Sequence, residues 1–104
     1  MAINILVTED EVIVRKDIER CLENLGYNIV AATDNGLDAI ELAKKNKPDL
    51  CLMDIMIKGE MTGIEAAVEI KKNIDVPVIF LTAYADESTL SAAKIAEPHG
   101  YILK

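Results

Sequence analysis

The chain alternates in a way that predicts a doubly wound α/β domain on a parallel sheet. Three observations carry the prediction: five short apolar segments of buried-strand length, helix-period segments between them, and turn chemistry at the joints. Near-continuous apolar runs suit strands covered on both faces, and a helix after each strand is the crossover a parallel pair requires. Right-handed crossovers place those helices on both sides of the sheet.

Residues 3–8 (INILVT) form the first strand. Residues 11–25 carry Val14, Ile18, Cys21, Leu22 and Leu25 at helical spacing, and Gly26 supplies a stop. Residues 28–33 (NIVAAT) read as the second strand, and Asp34-Asn35-Gly36 as a turn into a helix with Leu37, Ile40 and Ala43 on one face. Pro48 introduces a third strand at 49–54 (DLCLMD). After the loop IMIKGEM, Thr62-Gly63-Ile64-Glu65 fits a capping box opening a helix to about Asn73. Residues 76–82 (VPVIFLT) are the fourth strand. Asp86 can cap a helix to about Glu97, which Pro98 stops, and residues 101–103 start a fifth strand before Lys104.

A length of 104 residues suits one domain, residues 1–104, and 51% apolar with 28% charged residues is a globular balance. Eighteen acidic against eleven basic residues give a net charge of −7, which provides no electrostatic footprint for nucleic acid or an anionic membrane. No apolar run approaches a membrane span, and the longest, residues 76–81, contains Pro77. The start, MAINILVTED, has no basic stretch of a secretory leader, so Cys21 and Cys51 are expected as free thiols in a reducing cytoplasm. One histidine and two scattered cysteines do not make a zinc site.

In an open parallel sheet the ligand crevice lies beyond the carboxyl ends of the strands. Glu9, Asp10 and Glu11 follow the first strand, Asp54 ends the third, Thr82 the fourth and Lys104 the fifth. Taken singly each has an ordinary reading: a helix cap, a solvated loop residue, a strand residue, a solvated tail. Their order on successive strands is the signal. Clustered carboxylates repel and favour a cation, and oxygen ligands alone select Mg²⁺, with Mn²⁺ close behind. A carboxylate beside such an ion can attack phosphorus, and an ammonium and a hydroxyl suit the new phosphoryl oxygens.

With these residues the sequence resembles the receiver domain of two-component response regulators. The likeness runs from Ile3 to Lys104 through ILVTEDE, PDLCLMDIMI, GEMTGIEAA, VPVIFLTAYAD and GYILK. The resemblance implies a flavodoxin-like, five-stranded parallel sheet in the order 2-1-3-4-5. It implies Asp54 as phosphoacceptor for a histidine kinase, a phosphotransfer protein or a small phosphodonor. Glu9 and Asp10 match the acidic pair for Mg²⁺, Asp10 binding directly and Glu9 through water, with Asp54 and the backbone carbonyl of Met56 completing the set. Thr82 matches the switch hydroxyl, Tyr101 the aromatic switch and Lys104 the cation that pairs with the phosphoryl oxygens. Glu9 stands where the family more often has aspartate.

Two departures shape the expectations. Family members usually continue from this lysine through a proline into a fifth helix, and neither is present here, so the domain reads as truncated before its C-terminal helix. Apolar surface from the first, third and fifth strands is then expected to face water and to be covered by a second copy or by further residues. Met56 and Tyr84, two residues after Asp54 and Thr82, flank the path of hydrolytic water in this family. Both are bulky and neither offers a carboxylate or amide to orient water, so slow loss of phosphate is expected.

The resulting expectation is a signalling domain that catalyses only its own phosphorylation and slow dephosphorylation, not an enzyme with a separate substrate. A dedicated phosphatase would need a second acid where Met56 stands. The remaining alternative is a phosphorylation-independent interaction module on the same fold, disfavoured because the acid pair, Asp54, Thr82 and Lys104 are all present.

Overall fold

A computed structural model of the chain describes residues 3–55, 57, 59, 61–82 and 100–103, with the backbone alone for Thr82 and for 100–103. The strands are β1 (Asn4–Thr8), β2 (Asn28–Thr33), β3 (Leu50–Asp54), β4 (Val78–Thr82) and β5 (Gly100–Leu103). Between them run α1 (Val12–Asn24), α2 (Gly36–Asn46) and α3 (Gly63–Asn73). The expected fourth helix, at 86–97, lies outside the described residues. All pairings are parallel and the order is β2-β1-β3-β4-β5, as the resemblance implied.

Local chemistry sets the ends of the elements. α1 closes in a Schellman motif, with Tyr27 N–H donating to Leu22 O and Gly26 N–H to Glu23 O, both at 3.0 Å. Gly26 supplies the left-handed backbone (φ +96°) this closure needs. The Asn35 side chain caps α2 by accepting from Asp38 N–H at 2.9 Å. The capping box predicted at Thr62 and Glu65 is present in both halves. β4 begins two residues later than predicted, at Val78. Pro77 has no N–H for the ladder and contributes only its carbonyl, which accepts from Cys51 N–H at 3.0 Å.

The sheet separates two apolar layers. Leu6, Cys51, Met53, Val78 and Phe80 face α2 and α3, where they pack with Ala39, Ala43, Ala66, Ala67 and Ile70. Ile5, Val7, Leu52 and Leu81 form the other layer, against which Ile18 and Leu22 of α1 pack. The alternation shifts in β2, where Ile5 pairs with Ile29 but Leu6 with Ala31, so Val30 is an inserted residue.

The layer beneath α1 corrects the expectation of open apolar surface for the first and third strands, whereas the side chains of the fifth lie outside the described residues. Ile5, Val7 and Leu52 are buried rather than open to water, because α1 lays Ile18 and Leu22 over them. At the margins of this layer Ile29, Ala32, Leu50 and Ile79 are half-buried. Cys21 and Leu25, read from spacing as part of α1's apolar stripe, are exposed. They lie beside the Ile18–Leu22 row rather than on it.

Candidate functional site

β1 and β3 are neighbours in register, Thr8 opposite Met53, so the residues that follow, Glu9 and Asp54, leave the sheet at one level. The carboxylates of Glu9, Asp10 and Asp54 each offer an oxygen, and these oxygens lie within 4.8 Å of one another. Glu9 is 0% and Asp54 2% exposed, whereas Asp10 is half-buried at the mouth.

The cluster is held from several sides. Glu9 N–H donates to Thr33 O at 3.0 Å, and Glu9 Oε1 accepts from Glu11 N–H at 3.1 Å. The backbone carbonyl of Glu9 accepts from Arg15 Nη1 at 2.9 Å. On the other side, Ile55 N–H donates to Leu81 O at 3.1 Å and its carbonyl accepts from Gly63 N–H at 2.9 Å. Gly63 is forced by space: a Cβ there would sit 1.9 Å from Asp54 O and 2.8 Å from Asp54 C. The start of α3 therefore rests directly on the backbone of Asp54.

Two unit charges 4.8 Å apart repel by about 3.5 kcal/mol at an effective dielectric of 20. A dication offsets that repulsion. Among the described residues the donors are all carboxylate oxygens, with no imidazole or thiolate, which fits a hard ion such as Mg²⁺ or Mn²⁺. A water-filled coordination sphere completed by a phosphate is the usual form of such a site.

The structure thus brings together Glu9, Asp10 and Asp54 of the predicted set. Thr82 is the last residue of β4, one position beyond the Leu81 that pairs with Asp54. Tyr101 lies in β5 opposite Phe80. Met56, Tyr84 and Lys104 lie outside the described residues. Sequence reasoning missed Arg15 and the packing role of Gly63. The Thr-Gly-Ile-Glu string signalled a helix cap, and nothing in it announced the contact with Asp54. Cys51 is buried in the core, and burial pushes its thiol up to about 12 from 9.0, so it is an inert core residue.

Comparison with known proteins agrees with this geometry. A family model described as the response regulator receiver domain matches residues 5–104. The chain is 36% identical over 100 residues to the transcriptional regulatory protein PdtaR of Mycobacterium tuberculosis, across 96% of this chain and 48% of that protein. It is 37% identical over 87 residues to the phyllosphere-induced regulator PhyR of Methylorubrum extorquens, across 83% of this chain and 33% of that protein. The chain thus spans about half or less of the length of these curated relatives. Among solved structures, the signal receiver domain of a modulated diguanylate cyclase from Desulfovibrio desulfuricans superposes with a TM-score of 0.93 at 34% identity, covering 100% of this chain and 82% of that one. The response regulator domain of Thermotoga maritima CheB gives 0.91 at 27% identity, covering 100% and 79%.

Proposed function

The chain belongs to the response regulator receiver domain family, and from that premise we propose that it is a phosphoacceptor module whose Asp54 takes a phosphoryl group from a histidine kinase or phosphotransfer protein. The observation that carries this reading is the gathering of Glu9, Asp10 and Asp54 within 4.8 Å at the carboxyl edge of the sheet.

In this reading an Asp54 carboxylate oxygen attacks phosphorus while the bond to the donor's imidazole nitrogen breaks, and the imidazole leaves with that electron pair. Glu9, Asp10 and Asp54, with the Met56 carbonyl, would hold Mg²⁺ or Mn²⁺, which supplies charge neutralisation at the phosphoryl oxygens. Asp54 is buried and its backbone is pinned by Gly63 and Ile55, so the nucleophile is held in place before the donor arrives. Thr82 at the end of β4 and Lys104 after β5 are assigned to the new phosphoryl oxygens, and Tyr101 to the packing change that reports them. Met56 and Tyr84 leave the hydrolytic water unoriented, so the phosphorylated state is long-lived. The domain acts as a signalling element in the cytoplasm rather than as an enzyme on a separate substrate.

A macromolecular donor is supported by the surface beside the cluster. Val12 and Ile13, on the first turn of α1, are 50% and 79% exposed, and apolar side chains presented next to a charged cleft suit a protein partner. Among the described residues no helix is long and apolar enough to cross a membrane.

Incubation with acetyl phosphate and Mg²⁺, followed by intact-mass spectrometry, tests the reading. The wild-type chain should gain one phosphoryl group, EDTA should abolish the gain, and Asp54→Asn should not show it. Equal labelling of Asp54→Asn would place the acceptor elsewhere. No labelling by acetyl phosphate or by a phosphohistidine donor would favour a phosphorylation-independent interaction module.

A further inference from the structure

We infer that Arg15 is a positioning residue for the dication site of Glu9, Asp10 and Asp54; the inference rests on the reading of that cluster given above. Arg15 is half-buried on α1, and its Nη1 reaches back six residues to donate to the Glu9 carbonyl at 2.9 Å. That carbonyl belongs to the planar peptide joining Glu9 to Asp10, so the bond fixes the plane from which both acids project. Glu11, at the N-cap of α1, makes no side-chain capping bond, and the Glu9 N–H to Thr33 O and Glu11 N–H to Glu9 Oε1 bonds act on the same turn from its other sides. Removing Arg15 removes a direct restraint on the Glu9–Asp10 peptide, and with it a restraint on the direction in which Asp10 projects toward Asp54.

A positioning role and a mere counter-charge make opposite predictions. Arg15 carries a positive charge at the Glu9 carbonyl, on the turn that bears two of the three carboxylates, and a cation entering the cluster is repelled by it. If charge alone mattered, its removal would tighten cation binding. If the guanidinium holds the peptide, its removal weakens binding despite the relief of repulsion. Groups that orient metal-binding residues usually change metal affinity by about tenfold or more when deleted.

The test uses Mn²⁺ alone, with affinity measured by electron paramagnetic resonance on the whole chain and folding followed by thermal melting. Arg15→Met keeps the length of the stem and removes both charge and donor. Its Mn²⁺ affinity should fall by about tenfold. Arg15→Lys, which restores a charged donor, should bind more tightly than Arg15→Met. Affinity of Arg15→Met at or above the wild-type value overturns the proposal. So does a lowered melting midpoint with unchanged affinity in the folded protein, which is what a purely structural role predicts. A wild-type chain that does not bind Mn²⁺ overturns the dication reading itself, and the role of Arg15 with it.

Discussion

Substituting Gly63 by alanine tests whether the start of α3 is seated on the backbone of the phosphoacceptor. The added Cβ would lie 1.9 Å from Asp54 O, and contacts below 3.0 Å are essentially never observed, so the two segments must part by about 1 Å. The atoms in the way are backbone: Asp54 O, Asp54 C and Ile55 Cα. They cannot rotate aside as a side chain would, and the strand carrying them is hydrogen-bonded on both flanks. Overpacking of this kind costs about 3 kcal/mol, at the upper end of its usual range, and alanine returns at most about 1 kcal/mol of helix propensity. The net loss is about 2 kcal/mol, or a fall in Tm of roughly 8–16 °C for a domain of this size. Gly26→Ala is the control. Gly26 has open space around its Cβ position but φ +96°, so it costs about 1 kcal/mol in backbone strain at the opposite rim, without touching Asp54. Circular-dichroism melts and phosphoryl uptake from acetyl phosphate are the two assays. Gly63→Ala should melt below Gly26→Ala and take up phosphate more slowly, whereas Gly26→Ala should match wild-type uptake. A Gly63→Ala midpoint within about 2 °C of wild type would refute the packing argument.

Further predictions concern two buried residues, Thr8 and Cys51. Thr8 is fully buried and its Oγ1 has no hydrogen-bond partner among the described residues, so Thr8→Val should stabilise the fold by about 1 kcal/mol; a lower melting midpoint would show that the hydroxyl has a role. Burial holds the Cys51 thiol at about 12 against 9.0, so the folded state keeps this proton more tightly than the unfolded chain. Its stabilising contribution is complete below pH 9, is lost as pH rises toward 12, and is on the order of 4 kcal/mol in full. At pH 8 a thiol reagent should modify exposed Cys21 at once and Cys51 only after denaturation. Two equally fast thiols would contradict the burial.

Much of this protein is legible from local pattern. The β-branched runs, the Asn35 cap, the capping box at Thr62 and Glu65 and the Gly26 stop each act within a few residues. They hold whatever the rest of the chain does, and every boundary predicted for a described strand or helix falls within two residues of its observed place. The acidic strand ends were legible too, because a parallel sheet presents the ends of its strands on one rim. The strand order followed from the family resemblance rather than from any single segment.

Only the tertiary structure decided what depends on two distant segments meeting. Gly63 is required by the Asp54 carbonyl, nine positions away, and not by its own backbone conformation. Arg15 matters because the turn after β1 brings the Glu9 carbonyl within reach of its side chain. Cys21 and Leu25 share helical spacing with Ile18 and Leu22, yet α1's orientation on the sheet leaves the first two exposed and packs the second two. Periodicity records that a helix has an apolar side. Which residues of that side reach the core is set by the surface against which the helix lies.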